Sequence, residues 1–244
     1  MMIVSYGAGM NSTAMLIQML LRGESCDVIT FADTGGERPE TYAYLKMFSE
    51  WLHERGYPKI VTVRNDGMYV TLENNCLKKK MLPSLAYGFK SCSDKYKARP
   101  QNKYFNQLPE AKAVWAAGQK IVKCIGYDAD ESRRAKVFQD DKYLFRYPLI
   151  EWDMGREECV DAIVEAGLPL PGKSACFFCP ATKKPEIMDL QARHPDLLQR
   201  ALDMEAQAEL TSVKGLGRNF AWKDFIAGKN VVCTVEQACG CYDG

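Results

Sequence analysis

Apolar residues open the chain in short, regularly spaced blocks. Met2–Ser5 is an apolar run that stops at a glycine-containing turn, and Met15, Leu16, Met19 and Leu20 then recur at helical spacing within Ser12–Leu21. Asp27–Ala32 is a second apolar run, closed by the turn signal Asp33-Thr34-Gly35-Gly36. Pro39 opens a helix that carries Tyr42, Leu45, Phe48 and Leu52 on one face, with proline in the first turn where its missing N–H is harmless. Lys59–Val63 reads as a third strand. Strand, helix, strand, helix, strand is the order that builds a parallel sheet through helical crossovers. Further strands are predicted over Ile121–Tyr127 and Tyr143–Leu149, and a helix over Arg156–Ala166 closed by Gly167. Beyond Pro169-Leu170-Pro171-Gly172 the pattern becomes helical, with helices predicted at Pro185–Ala192 and Pro195–Leu210. The expected fold is α/β: a Rossmann-like, mostly parallel sheet flanked by helices, followed by a cysteine-rich helical C-terminal part.

Composition narrows the chemistry. The chain has 244 residues, 47% hydrophobic and 26% charged, with a net charge of +1, which is ordinary for a globular protein. That charge provides no strong whole-molecule field for nucleic acid. A local basic patch is expected from Lys78-Lys79-Lys80 with Lys90, Lys95, Lys97 and Arg99, unless these form only a solvated face. No apolar run reaches the roughly 18 residues of a membrane helix, and the first residues lack a basic, signal-like leader. A cytoplasmic location without membrane association is expected. Ten cysteines against two histidines, His53 and His194, argue for thiol chemistry or thiolate metal sites rather than histidine-based zinc sites or triads.

The first turn is the leading candidate site. Ser5-Tyr6-Gly7-Ala8-Gly9-Met10-Asn11-Ser12-Thr13 is a strand, a glycine turn and a helix start. Glycines let backbone approach a phosphate, and free N–H groups at the helix start point toward it. A glycine turn after a strand is also compatible with a simple tight turn. Walker and Rossmann spacings are absent.

The loop resembles the PP-loop of the adenine nucleotide alpha-hydrolase-like superfamily, which includes ATP pyrophosphatases and phosphoadenylyl-sulfate (PAPS) reductases. Gly7-Ala8-Gly9-Met10-Asn11-Ser12 stands at the place of its Ser-Gly-Gly-x-Asp-Ser, with Met10 where Lys is frequent and Asn11 where Asp is usual. Four more segments resemble the PAPS reductase branch in order. They are Asp33-Thr34 followed by Pro39-Glu40-Thr41; Cys92 with Lys97-Ala98-Arg99-Pro100; Gly126 through Glu131-Ser132-Arg133-Arg134; and Pro148-Leu149-Ile150-Glu151-Trp152. The resemblance covers roughly residues 2 to 180. It implies a HUP-type nucleotide-binding α/β domain over 1–168, with 169–244 as a cysteine-containing helical extension packed on it. It also implies nucleotide contacts at Ser5, Gly7, Gly9, Asn11, Ser12, Thr13, Asp33, Thr34, Gly126, Arg133 and Arg134. Lys95, Lys97 and Arg99 are then cations for phosphate or sulfate. The implied ligand is ATP, adenylyl sulfate or PAPS, with Mg²⁺ accompanying ATP.

Cys176-x-x-Cys179 is a chelating spacing, which a redox dithiol also uses. Adenylyl-sulfate reductases have a Cys-Cys pair well upstream of such a CxxC, together holding a [4Fe–4S] cluster. Here the pair is Ser91-Cys92. The resemblance therefore implies Cys92, Cys176 and Cys179 as ligands. The fourth is Cys241, with Cys239, Cys233 and Cys124 as alternatives, and Zn²⁺ is the alternative occupant. Ala238-Cys239-Gly240-Cys241-Tyr242 is similar to the reductases' catalytic Glu-Cys-Gly-x-His, which makes Cys239 the candidate nucleophile. Cys26, Cys124 and Cys159 sit in apolar-periodic segments and read as core. Three functions stay open: an enzyme of sulfur transfer or reduction working through an adenylyl intermediate or adenylyl-sulfate substrate; an ATP-using enzyme that modifies a nucleic acid or nucleobase; and a non-catalytic nucleotide-binding protein with a structural metal. Oligomerisation is left open by the sequence.

Overall fold

A computed structural model describes residues 1–135 and 140–228. Five parallel strands form one sheet in the order β3-β2-β1-β4-β5. They are β1 (Met2–Tyr6), β2 (Val28–Ala32), β3 (Ile60–Val63), β4 (Ile121–Ile125) and β5 (Tyr143–Arg146). The chain winds outward from β1 in one direction through β2 and β3, then returns to the other side of β1 with β4. The order therefore reverses between β1 and β4, and α/β sheets bind ligands at that reversal, beyond the strands' C-terminal ends.

Helices cover both faces because each parallel strand must be followed by a crossover. One face packs Val4, Tyr6, Ile29 and Phe31 against α1 (Met10–Leu21) and α2 (Pro39–His53). Cys159, Ala162 and Ile163 of α8 (Arg156–Glu165) complete that cluster. The other face packs Ile3, Ile121 and Tyr143 against Phe105 and Ala111 of α5 (Arg99–Gln107) and α6 (Pro109–Ala116). The alternation is the strand's own: Ile3 faces one layer, Val4 and Tyr6 the other.

A third cluster is built without the sheet. Leu72 and Cys76 of α3 (Leu72–Lys78) join Leu82, Ala86 and Tyr96, and meet Phe177, Phe178, Ile187, Leu198, Met204 and Trp222. The C-terminal helices α9 (Lys184–Arg193), α10 (Pro195–Gln207) and α11 (Trp222–Ile226) thus share a core with the segment that follows β3. Glu205 anchors this unit. Its buried carboxylate accepts the amides of Leu216 (2.7 Å), Trp222 (2.9 Å) and Lys223 (3.0 Å), so a loop that would otherwise bury open N–H groups is satisfied by one side chain.

The strand expected over Ile121–Tyr127 ends at Ile125 and the helix expected over Pro195–Leu210 ends at Gln207, and two larger differences follow. The strand expected over Tyr143–Leu149 stops at Arg146, because Pro148 fixes φ, removes a ladder donor and starts the helical turn α7 (Pro148–Glu151). The segment after β3, for which no helix was expected, holds α3, the short turn α4 (Ser91–Ser93) and a π-type turn over Asp94–Ala98 that runs into α5. Among the described residues no helix is long and apolar enough to cross a membrane.

One core residue opposes the fold. Lys123 on β4 is 4% exposed. Its ammonium lies 5.6 Å from the Phe105 ring and 5.4 Å from the Tyr143 ring, and it donates to Asn102 Oδ1 at 3.2 Å. Burial pulls its pKa down from the ordinary 10.5 to about 8. The unfolded chain therefore binds more protons between these values, so this residue's contribution to stability rises as pH climbs from about 8 to 10.5. Lys123→Met is expected to stabilise the protein at pH 7 by up to about 3 kcal/mol, with the gain shrinking toward pH 10. Urea unfolding of both proteins at the two pH values checks this; a constant difference would remove Lys123 as its source.

Candidate functional site

β1 ends under Gly7, and the chain turns through Ala8 (φ 57°) before Gly9 caps α1 in extended backbone. The turn is tied internally. Gly7 N donates to Ser12 Oγ at 3.2 Å, Ser12 Oγ donates to Gly9 carbonyl at 3.3 Å, and Thr13 Oγ1 shares a hydrogen bond with Tyr6 at 3.0 Å. Ser5, Asn11, Ser12 and Thr13 are all buried, so the loop is a rigid shelf at the start of α1. The left-handed conformation falls on an alanine, a local strain of the kind that accumulates at binding sites.

The loop after β4 closes against this shelf. A Cβ on Gly126 would fall 2.8 Å from Ser12 Cα and 2.9 Å from Ser12 N, so only glycine permits the approach. That contact carries the next turn, Ala129–Arg134, onto α1. Asn11 Nδ2 donates to Asp128 Oδ2 at 2.9 Å and to Glu131 Oε2 at 3.1 Å. Asp128 is 3% exposed and its other oxygen accepts the Glu131 amide. Burial, reinforced by the Glu131 charge, pushes the Asp128 carboxyl above its usual range. Glu131 also pairs with Arg134, whose guanidinium lies over the Tyr127 ring at 4.3 Å. Arg133 is exposed on the same turn.

β2 supplies the opposite wall. Asp33 is buried and accepts from Gly35 N (2.7 Å), Tyr42 (2.8 Å) and Arg64 Nε (2.9 Å). Arg64, which the sequence reading did not single out, holds the Asp33 charge; its position just after β3 was the only available signal. Next to Asp33, Thr34 Oγ1 lies 3.0 Å from Cys176 Sγ, so the CxxC segment rests on the end of β2. Gly36 makes the docking possible. It accepts Phe177 N at 2.7 Å, and a Cβ there would strike the Phe178 ring at 2.7 Å.

Cys92, Cys176 and Cys179 line one small, solvent-open cavity together with Thr34, Lys90 and Lys97. Burial pushes the Cys176 thiol far above its usual range, with the nearby Lys97 charge opposing. Three thiols around one cavity are the donor chemistry of a thiophilic metal or cluster. Among the described residues, no three Cys, His, Asp or Glu side chains are grouped so as to hold a metal ion. Cys241 and Cys239, as well as Cys233, lie outside the described residues.

The structure thus gathers Gly7, Gly9, Asn11, Ser12, Thr13 and Gly126 at the β1–β4 reversal, and Thr34, Lys97, Cys92, Cys176 and Cys179 beside β2. Ser5 sits beneath the shelf as part of β1. Lys95 instead lies over the Tyr96 ring at 5.3 Å, and Arg99 pairs with Asp94 at 2.7 Å on an exposed face. Cys124 and Cys159 are fully buried in the main core, and Cys26, half-buried, packs against that core. No family model matches the chain, and no curated protein matches it either.

Gly126→Ala and Gly36→Ala separate the two walls. Gly126→Ala is expected to displace the Ser12 backbone, and so to weaken about tenfold or more the binding of the nucleotide proposed below. Gly36→Ala is expected to raise thiol accessibility at Cys176 with a smaller loss of binding. Isothermal titration and timed alkylation with mass detection read the two effects; identical behaviour of both variants would contradict the division.

Proposed function

We propose that this chain is a PAPS reductase-like enzyme. It binds an adenine nucleotide with its phosphates on the Gly7–Thr13 shelf and carries out sulfur transfer or reduction beside it. The supporting observation is the 3.0 Å contact between Thr34 and Cys176, which brings thiols to the same edge of the sheet as the phosphate shelf. Backbone amides at the start of α1 suit phosphate oxygens, and Lys90 and Lys97 on the cavity wall suit a sulfate or second phosphate.

In the reductive form of this reading a cysteine thiolate attacks the sulfate sulfur of adenylyl sulfate or PAPS. The S–O bond to the phosphate breaks, and AMP or its 3′-phosphate leaves with the electron pair. A second thiol then displaces sulfite from the S-sulfonated cysteine. Cys239 is the proposed nucleophile by its resemblance to the reductase tail. Cys92, Cys176, Cys179 and Cys241 are the proposed ligands of a [4Fe–4S] cluster, or of Zn²⁺; the cluster would supply electrostatic or redox support next to the sulfur, and zinc only rigidity.

A second reading, ATP-dependent modification of a nucleic acid, is favoured by charge. Residues 64–103 hold nine Lys or Arg against three Asp or Glu in a chain of net charge +1. Lys78, Lys79, Lys80 and Lys90 are exposed there, and Phe89, 67% exposed, precedes the cavity-lining Lys90 in sequence. In that reading ATP adenylylates a carbonyl oxygen of the base and pyrophosphate leaves.

Anaerobically purified protein, titrated with ATP, AMP, adenylyl sulfate and PAPS, tests both readings. At least one nucleotide is expected to bind, with sulfite as product in the first reading and pyrophosphate, dependent on an added oligonucleotide, in the second. Binding without turnover would leave a non-catalytic nucleotide-binding protein. Binding of none of the four would overturn the proposal.

A further inference from the structure

α3 carries a cysteine that neither the sequence motifs nor the site described above uses. Cys76 is 1% exposed, in the cluster that holds Phe177 and Phe178, and Cys92 and Cys176 pack against that same cluster. Thr34 joins the segments concerned. Its carbonyl accepts the Leu72 amide at 3.0 Å, which seats the first turn of α3 on the end of β2, and its hydroxyl lies 3.0 Å from Cys176 Sγ. The seat is close: a Cβ on Gly35 would fall 2.3 Å from Thr71 Cγ2. Leu72 lines the thiol cavity, and Cys76 follows it by one helical turn on the same face. The two backbone positions are therefore about 6 Å apart. Cys92 arrives from the other end of the same loop. The Cys76 carbonyl accepts the Met81 amide at 2.9 Å, and Ser84 Oγ, shortly after it, accepts the Cys92 amide at 2.9 Å. Glu73 pairs with Arg200, whose guanidinium lies 4.7 Å from the Phe177 ring, so α3 is also fixed to a residue inside the CxxC. Burial, and after it the neighbouring Cys92 and Glu73, push the Cys76 thiol up to about 12, with Lys95 opposing. Cys92 and Lys97 are likewise neighbours of the Cys176 thiol. Cys92 thus neighbours both thiols, and each has a lysine of the π-type turn nearby.

We propose that Cys76 is the fourth thiolate of the cysteine site, with Cys92, Cys176 and Cys179, in the place that resemblance to the reductases gave to Cys241. Packing alone accounts for many buried cysteines. Cys26, Cys124 and Cys159 are of that kind and belong to the main core, whereas Cys76 shares its cluster with Cys92 and Cys176. In this structure Cys176 faces Thr34, and no three thiols are gathered at ligand distance among the described residues. Rotation about χ1 redirects a cysteine sulfur without moving its backbone, and a bond from Cys176 to metal replaces its contact with Thr34. On loading, four S–H groups release their protons to solvent and form four sulfur–metal bonds, and no electron changes hands. Lys95 and Lys97 offset the negative charge of the thiolates. Four thiolates suit Zn²⁺ or a [4Fe–4S] cluster. With Cys76 in place the set is closed, so the metal offers no open position to a substrate and supports the site rather than binding sulfur. Cys239 and Cys241 are then not needed as ligands and remain available for thiol chemistry. The proposal rests on the metal part of the function proposed above and not on the nucleotide.

The full chain, purified anaerobically, is analysed for iron and zinc, and its visible spectrum separates a cluster from zinc. Zn²⁺ then serves as the common probe, added to metal-free protein in competition with a chelator. Cys76→Ser and Cys76→Ala are expected to bind it about tenfold or more weakly than wild type. A chain carrying Cys233→Ser, Cys239→Ser and Cys241→Ser together is expected to keep the wild-type affinity. X-ray absorption at the zinc edge is expected to find only sulfur neighbours in wild type and in that tail variant. This measurement decides the matter even if the Cys76 variants do not fold, which their melting curves show. Wild-type Zn²⁺ affinity in a folded Cys76→Ala would overturn the proposal, as would a nitrogen or oxygen donor replacing one sulfur in the tail variant. So would a wild-type chain that takes up neither zinc nor, with iron and sulfide supplied, a cluster. Nucleotide titration of the metal-free chain is read separately, so failure of this ligand set and failure of the nucleotide reading are distinguishable.

Discussion

The backbone of residue 126 lies so close to the backbone of Ser12 that no side chain fits between them, and the candidate site depends on this one approach. β1 and β4 are neighbours in the sheet, yet the chain leaves them toward opposite flanks. A crevice opens where neighbouring strands part in this way. Without the Gly126 contact the turn carrying Asp128 and Glu131 would stand away from α1. With it, the two acids reach Asn11 and the glycine loop becomes one wall of a polar crevice with acids at one end.

A second close approach, at Gly36, does the same for the cysteines. Phe177 and Phe178 bury their rings in the cluster shared by α3 and the C-terminal helices, so the CxxC segment is fixed by hydrophobic packing. Its polar consequence is local: Cys176 reaches Thr34, and Cys92 arrives on the same cavity from the segment after β3. Glu205 holds the far side of that cluster by closing the loop before α11. The glycine shelf and the thiol cavity are thus two attachments to adjoining strand ends, each secured by a glycine that allows backbone contact.

The sheet was legible in the sequence because its strands are short apolar runs punctuated by Gly, Asp and Pro, and its helices repeat with a period near 3.6. Gly7–Thr13, Gly126 and the CxxC pair were legible for a related reason, since each needs a particular residue type at a particular place. Lys123 was hidden, because a lysine within an apolar strand carries no local sign of which way it points. Arg64 was hidden too; its partner Asp33 lies on the neighbouring strand. The opposite placements of Lys97, on the cavity, and Arg99, paired with Asp94, depend on the π-type turn at Asp94–Ala98, which shifts the helical phase in a way that spacing alone does not reveal. Asp128 carried no local signal, because its contact is Asn11, far away in sequence and adjacent across the strand-order reversal.

The proposed adenine nucleotide would cover the backbone amides of this shelf. Hydrogen–deuterium exchange of the whole chain, with and without saturating ATP or adenylyl sulfate, tests it most directly. Slowed exchange is expected at the amides of residues 7–13 and 126–131, with the outer helices α9 and α10 unchanged. Protection confined to other segments, or no change at any amide under saturating ligand, would contradict it.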